Sequence, residues 1–125
     1  LGPQDNTSKD GINIGEFNNT KFALLTGASG WIAFSDIHFT SIKSIEISYS
    51  SQYPLTKGYV IEAFEGSVNG KKLGEVAITQ SKPKQSNKAI MPIPAGTGAN
   101  GITFRIRKAD ASETSILAIT GFRIN

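Results

Sequence analysis

Cysteine is absent from this chain of 125 residues. No disulfide framework can staple it, and neither a thiolate metal site nor a cysteine nucleophile can be built. Tryptophan, histidine and methionine occur once each, as Trp31, His38 and Met91. A Ser–His–acid set therefore has one candidate base, and no Gly-x-Ser-x-Gly elbow marks a nucleophile. A glycosidase needs two carboxyl groups facing each other across a cleft. Glu62 and Glu65 fall on opposite faces of a strand, and Asp110 and Glu113 fall in a turn. The expectation is a chain that is not an enzyme.

Long apolar runs are missing as well. Nothing approaches the roughly 18 residues of a membrane span, so no membrane partner is expected. The net charge of +3 is modest, and Lys82, Lys84 and Lys88 are its one visible cluster. A nucleic-acid surface calls for a denser basic stripe interleaved with aromatics; this segment has none and reads as a solvated loop. His38 and Asp36 share a strand face, but no third or fourth ligand accompanies them, so no metal centre is expected.

What the chain has is glycine, 13 residues of it, and short alternating segments without a 3.6-residue apolar stripe. The clearest alternation lies in Gly27–Ser51. There Trp31, Ala33, Ile37 and Phe39 oppose Asp36 and His38, and Ile45, Ile47 and Tyr49 alternate with Ser44, Glu46 and Ser48. Gly11–Ile14 and Lys21–Leu25 read as two earlier strands. Gly58–Glu65 reads as a central strand, apolar on both faces and interrupted by Glu62. Asn69-Gly70 marks a hairpin turn leading to Leu73–Ile78. Thr79–Lys88 reads as a surface loop, Ala89–Ile93 as a strand with Pro92 near an edge, and Pro94–Asn100 as a turn. Gly101–Arg107 places Ile102, Phe104 and Ile106 inside and Thr103, Arg105 and Arg107 outside. Ile116–Ile124 closes the chain. About nine short strands of this spacing predict an all-β, two-sheet antiparallel jelly-roll sandwich. Residues 1–10, rich in turn formers, are expected to be a linker or disordered arm before one domain at 11–125. A start at Leu1 reads as a segment processed from a longer parent.

Several of these runs together resemble the family 6 carbohydrate-binding modules. The runs are Gly30-Trp31-Ile32-Ala33-Phe34, Asp36-Ile37-His38-Phe39, the strand Ile45–Ser51, and Gly58–Glu65 followed by Gly70-Lys71-Lys72-Leu73-Gly74. Gly101–Phe104 and Ile119–Ile124 fit the last two strands. The resemblance covers most of the chain from about residue 11 and implies a galactose-binding-like sandwich. It implies a non-catalytic module that holds a secreted bacterial glycan-processing enzyme on its polysaccharide. The partners would then be a carbohydrate ligand and a neighbouring catalytic domain. In that family the main cleft stacks a sugar between two aromatics, matching Leu25 and the Thr79–Lys88 loop here, and neither place supplies one. The family's asparagine on the last strand falls at Ala118, and its calcium-linked acid at Thr120. A structural calcium thus lacks its acid, and no cofactor is expected.

Four residues are candidates for sugar contact. Trp31 either faces a second site on the concave sheet or packs in the core. Tyr53 stands beside Pro54, which stiffens its loop. Phe22 lies beside a loop. Glu62 either faces a groove or is a solvated carboxylate. Arg105 and Arg107 share a face able to hydrogen-bond hydroxyls or the carboxylates of an acidic sugar. The competing reading is a sandwich that packs against a neighbouring domain and binds no sugar, for which a large exposed apolar face would speak.

Overall fold

The computed structural model describes all 125 residues, Leu1–Asn125. Eight strands follow a short 3-10 turn at Pro3–Asp5: β1 (Ser8–Asp10), β2 (Ile12–Phe17), β3 (Thr20–Leu25), β4 (Ser29–Ser50), β5 (Tyr59–Glu65), β6 (Lys72–Ile78), β7 (Asn87–Lys108) and β8 (Ala118–Ile124). The 3-10 turn is the only helical element, and no helix is long and apolar enough to cross a membrane. The fold is the expected all-β antiparallel sandwich.

β4 and β7 organise it. Each is 22 residues long, and they pair antiparallel from Ser29↔Arg107 to Tyr49↔Asn87. The ladder is irregular in its middle, with register shifts between Phe34 and His38, Phe39 and Ile42, and Ile42 and Ser44. Such bulges bend a strand and increase its twist, which lets one ribbon serve two layers. Gly101, at φ +77°, sits against Ser35 at this bend, where a side chain would be strained. Residues 29–34 of β4 and 102–107 of β7 join β1, β5 and β6 in the first sheet, ordered β1-β4-β7-β5-β6. Residues 44–50 and 87–92 join β8, β3 and β2 in the second, ordered β2-β3-β8-β4-β7.

Three expectations change. The connection expected at 40–43 and the turn expected at 94–100 are the bulged centres of β4 and β7, so nine short strands become eight with two long ones. Neither segment carries a true chain reversal, because each pairs with the other across the bend. Pro92 does lie at an edge: residues 87–92 pair with β4 on one side only. Residues 1–10 are not a free arm. β1 adds to β4 through Ser8↔Ala33 and Asp10↔Trp31, Pro3 is buried, and the Phe122 amide donates to the Leu1 carbonyl at 2.9 Å. Backbone pairing holds this polar segment where its side chains would not.

The core lies between the two sheets. Ile32, Phe34, Phe104, Ile106, Ile61 and Ala63 of the first meet Ile45, Ile47, Met91, Ile119 and Phe122 of the second. Its centre is a phenylalanine trio. Phe104 and Phe122 stack with centroids 4.0 Å apart, and Phe34 meets both edge-on at 6.1 and 5.9 Å. Phe104→Ala is expected to destabilise the fold by about 3–5 kcal/mol. Ile90→Ser, at a side chain half exposed on the second sheet, should change it by less than about 0.5 kcal/mol. Urea unfolding of the two variants checks the contrast.

Candidate functional site

Alternation on the first half of β4 runs opposite to the sequence expectation. Ile32 and Phe34 enter the core, whereas Trp31, Ala33 and Ser35 face outward. Both sets are apolar enough to face a core, and the bulge after Phe34 brings Ile37 and Phe39 back against it from the opposite parity. Trp31 is thus half-buried on the outer face and takes no part in the core cluster. It lines a groove of about 470 Å³ with Ala33 and Val68 beside it and Ser8, Ser35, Ser67, Asn100 and Thr103 around it. No charged side chain lines this groove. An indole face bordered by neutral polar groups is what a pyranose ring with its hydroxyls requires.

The polar groups are positioned by their neighbours. The Asn100 backbone amide donates to Glu65 Oε2 at 3.0 Å, and its side-chain oxygen lies 3.0 Å from His38 Nδ1. Its Nδ2 makes no hydrogen bond within the protein and faces solvent on an exposed side chain. Ser35 Oγ is tied to Thr7 Oγ1 at 2.8 Å, and the Thr103 hydroxyl donates to the Gly66 carbonyl. His38 is exposed, and its partner is this asparagine.

Beyond Trp31 the same face becomes charged. Arg105 is the cross-strand partner of Trp31, and Glu62 is the partner of Arg105 on β5. Glu62 is 4% exposed, neither solvated nor open to the groove. Its carboxylate accepts from Arg105 Nε at 2.9 Å and from Arg107 Nε at 3.4 Å, with Arg105 Nη2 and Lys72 Nζ ion-paired to it at 2.9 and 3.1 Å. Burial opposes its ionisation, but the hydrogen bonds from Lys72 and Arg105 and their charges outweigh it and hold the carboxyl below the ordinary glutamate range. Lys72 also pairs with Glu75, and the two carboxylates raise its pKa. The Arg105 guanidinium stands 5.3 Å over the Phe64 ring.

The other two candidates lie elsewhere. Phe22, on β3 in the second sheet, has its ring against the Gly15 backbone and packs there. Tyr53 is 73% exposed on the loop after β4. Its neighbours Pro54 and Leu55 line a second groove of about 640 Å³ with the 79–88 loop, but Tyr53 does not. That groove's one aromatic, Tyr49, is buried and donates its hydroxyl to the Gln80 carbonyl at 2.8 Å, so it offers no stacking platform. Trp31 and Glu62 share one face; Phe22 and Tyr53 do not join them.

Glu113, expected in a turn, is 2% exposed and ties two loops together. Its carboxylate accepts from the backbone amides of Thr56, Lys57, Gly58 and Ser115 and from the hydroxyls of Thr56 and Ser115. Burial opposes its charge, but these donors prevail and push its pKa far below the usual carboxylate range. Apart from those of Ser115, the contacts come from a segment 55–57 residues away, which a local reading of the sequence does not reveal. For calcium, Thr120 brings a hydroxyl where the resemblance implies an acid, and no three histidine or acidic side chains converge in the structure. The residues do not fit that ion.

No protein-family model matches the sequence, and no curated protein matches it. Solved structures do match in fold. A glycoside hydrolase family 43 arabinoxylan arabinofuranohydrolase from Bacillus subtilis, in complex with cellotetraose, superposes over 100% of this chain with TM-score 0.79 at 15% identity. The chain spans 26% of that enzyme's length. A β-1,3-glucan-binding family 6 carbohydrate-binding module from Bacillus halodurans matches over 100% of this chain and 93% of its own, with TM-score 0.79 and 17% identity. A carbohydrate-binding module of Cellvibrio mixtus lichenase 5A, in complex with cellotriose, matches over 100% and 94%, with TM-score 0.66 and 19% identity. The chain therefore has the β-sandwich fold of the family 6 modules, as the sequence resemblance implied.

Glu113 carries an acid-stability prediction. Its folded pKa is depressed, so its contribution is present above the unfolded value of about 4.3 and is lost as pH falls toward the folded one. Glu113→Gln is expected to lower stability at neutral pH and to flatten the loss of stability below about pH 4.3. Glu62, shifted the same way, keeps part of that slope. Urea midpoints of both proteins across the acid range read this out.

Proposed function

We propose that this chain is a non-catalytic glycan-binding module whose ligand stacks on Trp31 across the outer face of the first sheet. The observation that carries the reading is the orientation of Trp31. A large aromatic faces out of the core, in a groove edged by Ser35, Ser67 and Asn100, with the Asn100 Nδ2 uncommitted. Ring stacking supplies apolar contact to the C–H face of a sugar, and the asparagine and serine groups supply direction. The fold likeness supports the class of ligand, since the matched modules are described with glucans and cello-oligosaccharides. A role beside a catalytic domain in a longer secreted bacterial protein accords with the Bacillus subtilis enzyme, which contains this fold within a much longer chain.

The large exposed apolar side chains are Leu1, Phe17, Tyr53, Ile90 and Ile116, which stand on separate strands, loops and the N-terminus. The reading is tested by titrating a panel of soluble β-glucans, xylans and their oligosaccharides in gel retardation and calorimetry. At least one is expected to bind; silence across the panel overturns the proposal. With the ligand in hand, Trp31→Ala should weaken binding at least about tenfold, as for a central aromatic anchor. Because Trp31 lies outside the core, stability should change by less than about 1 kcal/mol. Retained affinity in that variant removes Trp31 from the site.

A further inference from the structure

We infer that the Trp31 face selects a glycan bearing carboxylate groups, with Arg107 and Arg105 as the anion-reading residues; this rests on the sugar-binding reading above. Arg105 lies directly across from Trp31, and Arg107 is two residues along on the same outward face. Side chains paired across strands stand about 5 Å apart at Cβ, so a sugar stacked on the indole brings its ring substituents close to the Arg105 guanidinium. Lys72, Arg105 and Arg107 together face two carboxylates, Glu62 and Glu75, so one positive charge is in excess. Asp10 pairs directly with Trp31 from β1, on the side away from Arg105, and makes no ion pair with these cations.

Donors also remain free. Glu62 engages Arg105 through Nε and Nη2 and Arg107 through Nε alone. Nη1 of Arg105 and both terminal nitrogens of Arg107 make no hydrogen bond within the protein, and the two side chains are 39% and 40% exposed. Arg105 is further held over Phe64, and the buried Glu62 anchors both guanidiniums. A planar, pre-oriented fork of N–H groups matches a carboxylate in two-point contact, whereas a neutral hydroxyl uses one donor and gains nothing from the charge. The neutral Trp31 groove takes the backbone sugar and the adjoining guanidiniums take the uronate.

The test compares glucuronoxylan with the same polymer after reduction of its carboxyl groups, with dextran sulfate against dextran as a second pair. The acidic xylan is expected to bind more tightly than its reduced form at low salt, with the advantage shrinking as salt rises to about 0.5 M. Arg107→Gln should remove about three- to tenfold of affinity for the acidic polymer and leave the reduced polymer unchanged. Its Glu62 contact is the longest of the set, so the variant should keep its melting temperature. Equal binding of the two xylans, or an unchanged Arg107→Gln profile, overturns the inference while leaving the sugar-binding reading standing. A preference for dextran sulfate over glucuronoxylan overturns the assignment to carboxylate. Failure of both xylans and of the neutral panel removes both readings together.

Discussion

The antiparallel pairing of β4 with β7 is the constraint on which the rest of the structure depends. One ribbon of two long strands runs through both layers, and every other strand except β2, β3 and β6 pairs directly with it. Because the side-chain period of a strand is two, its register decides which residues face the core. Three register shifts between Phe34 and Ser44 separate a half in which Ile32 and Phe34 of β4 face the core from one in which Ile45, Ile47 and Tyr49 do. Phe34, Phe104 and Phe122 fasten the layers where the ribbon folds over. The outward position of Trp31 is a consequence of this register.

Two buried carboxylates stabilise the molecule by different physical means. Glu113 receives backbone amides and hydroxyls from two loops and acts as a fixed anion inside a cage of dipoles. Glu62 faces side-chain cations and sets the direction of two guanidiniums on the outer face. The first fixes loop geometry at one end of the sandwich; the second gives a sheet surface its charge pattern. Rigid strands carry the face that Glu62 organises, so ligand contacts there cost little ordering of the protein.

The sandwich was legible from the sequence because Gly101–Arg107 alternates without ambiguity and the core takes Ile102, Phe104 and Ile106 as the pattern implies; in Gly58–Glu65, apolar on both faces, the core takes Tyr59, Ile61 and Ala63. The first half of β4 was not. In Gly30-Trp31-Ile32-Ala33-Phe34 both parities are apolar, and hydrophobicity alone selects Trp31 for the interior, whereas pairing with β1 and β7 puts it outside. The arm at residues 1–10 was missed for the opposite reason, since it is held by backbone pairing that polar side chains do not announce. Of the candidate site, the Trp31–Glu62 face was half visible. Their adjacency through Arg105 is a matter of strand order, which a single sequence does not encode locally. Glu113 was invisible, most of its partners lying more than fifty residues upstream.

Trp31 is the only tryptophan, so its fluorescence reports on the proposed contact without any label or substitution. Emission followed during titration with the soluble glycan that binds most tightly tests the central claim directly. A saturable shift in emission, with the same midpoint as calorimetric binding, is the predicted result. Saturated binding with an unchanged Trp31 spectrum would contradict it and move the ligand to another surface of the sandwich.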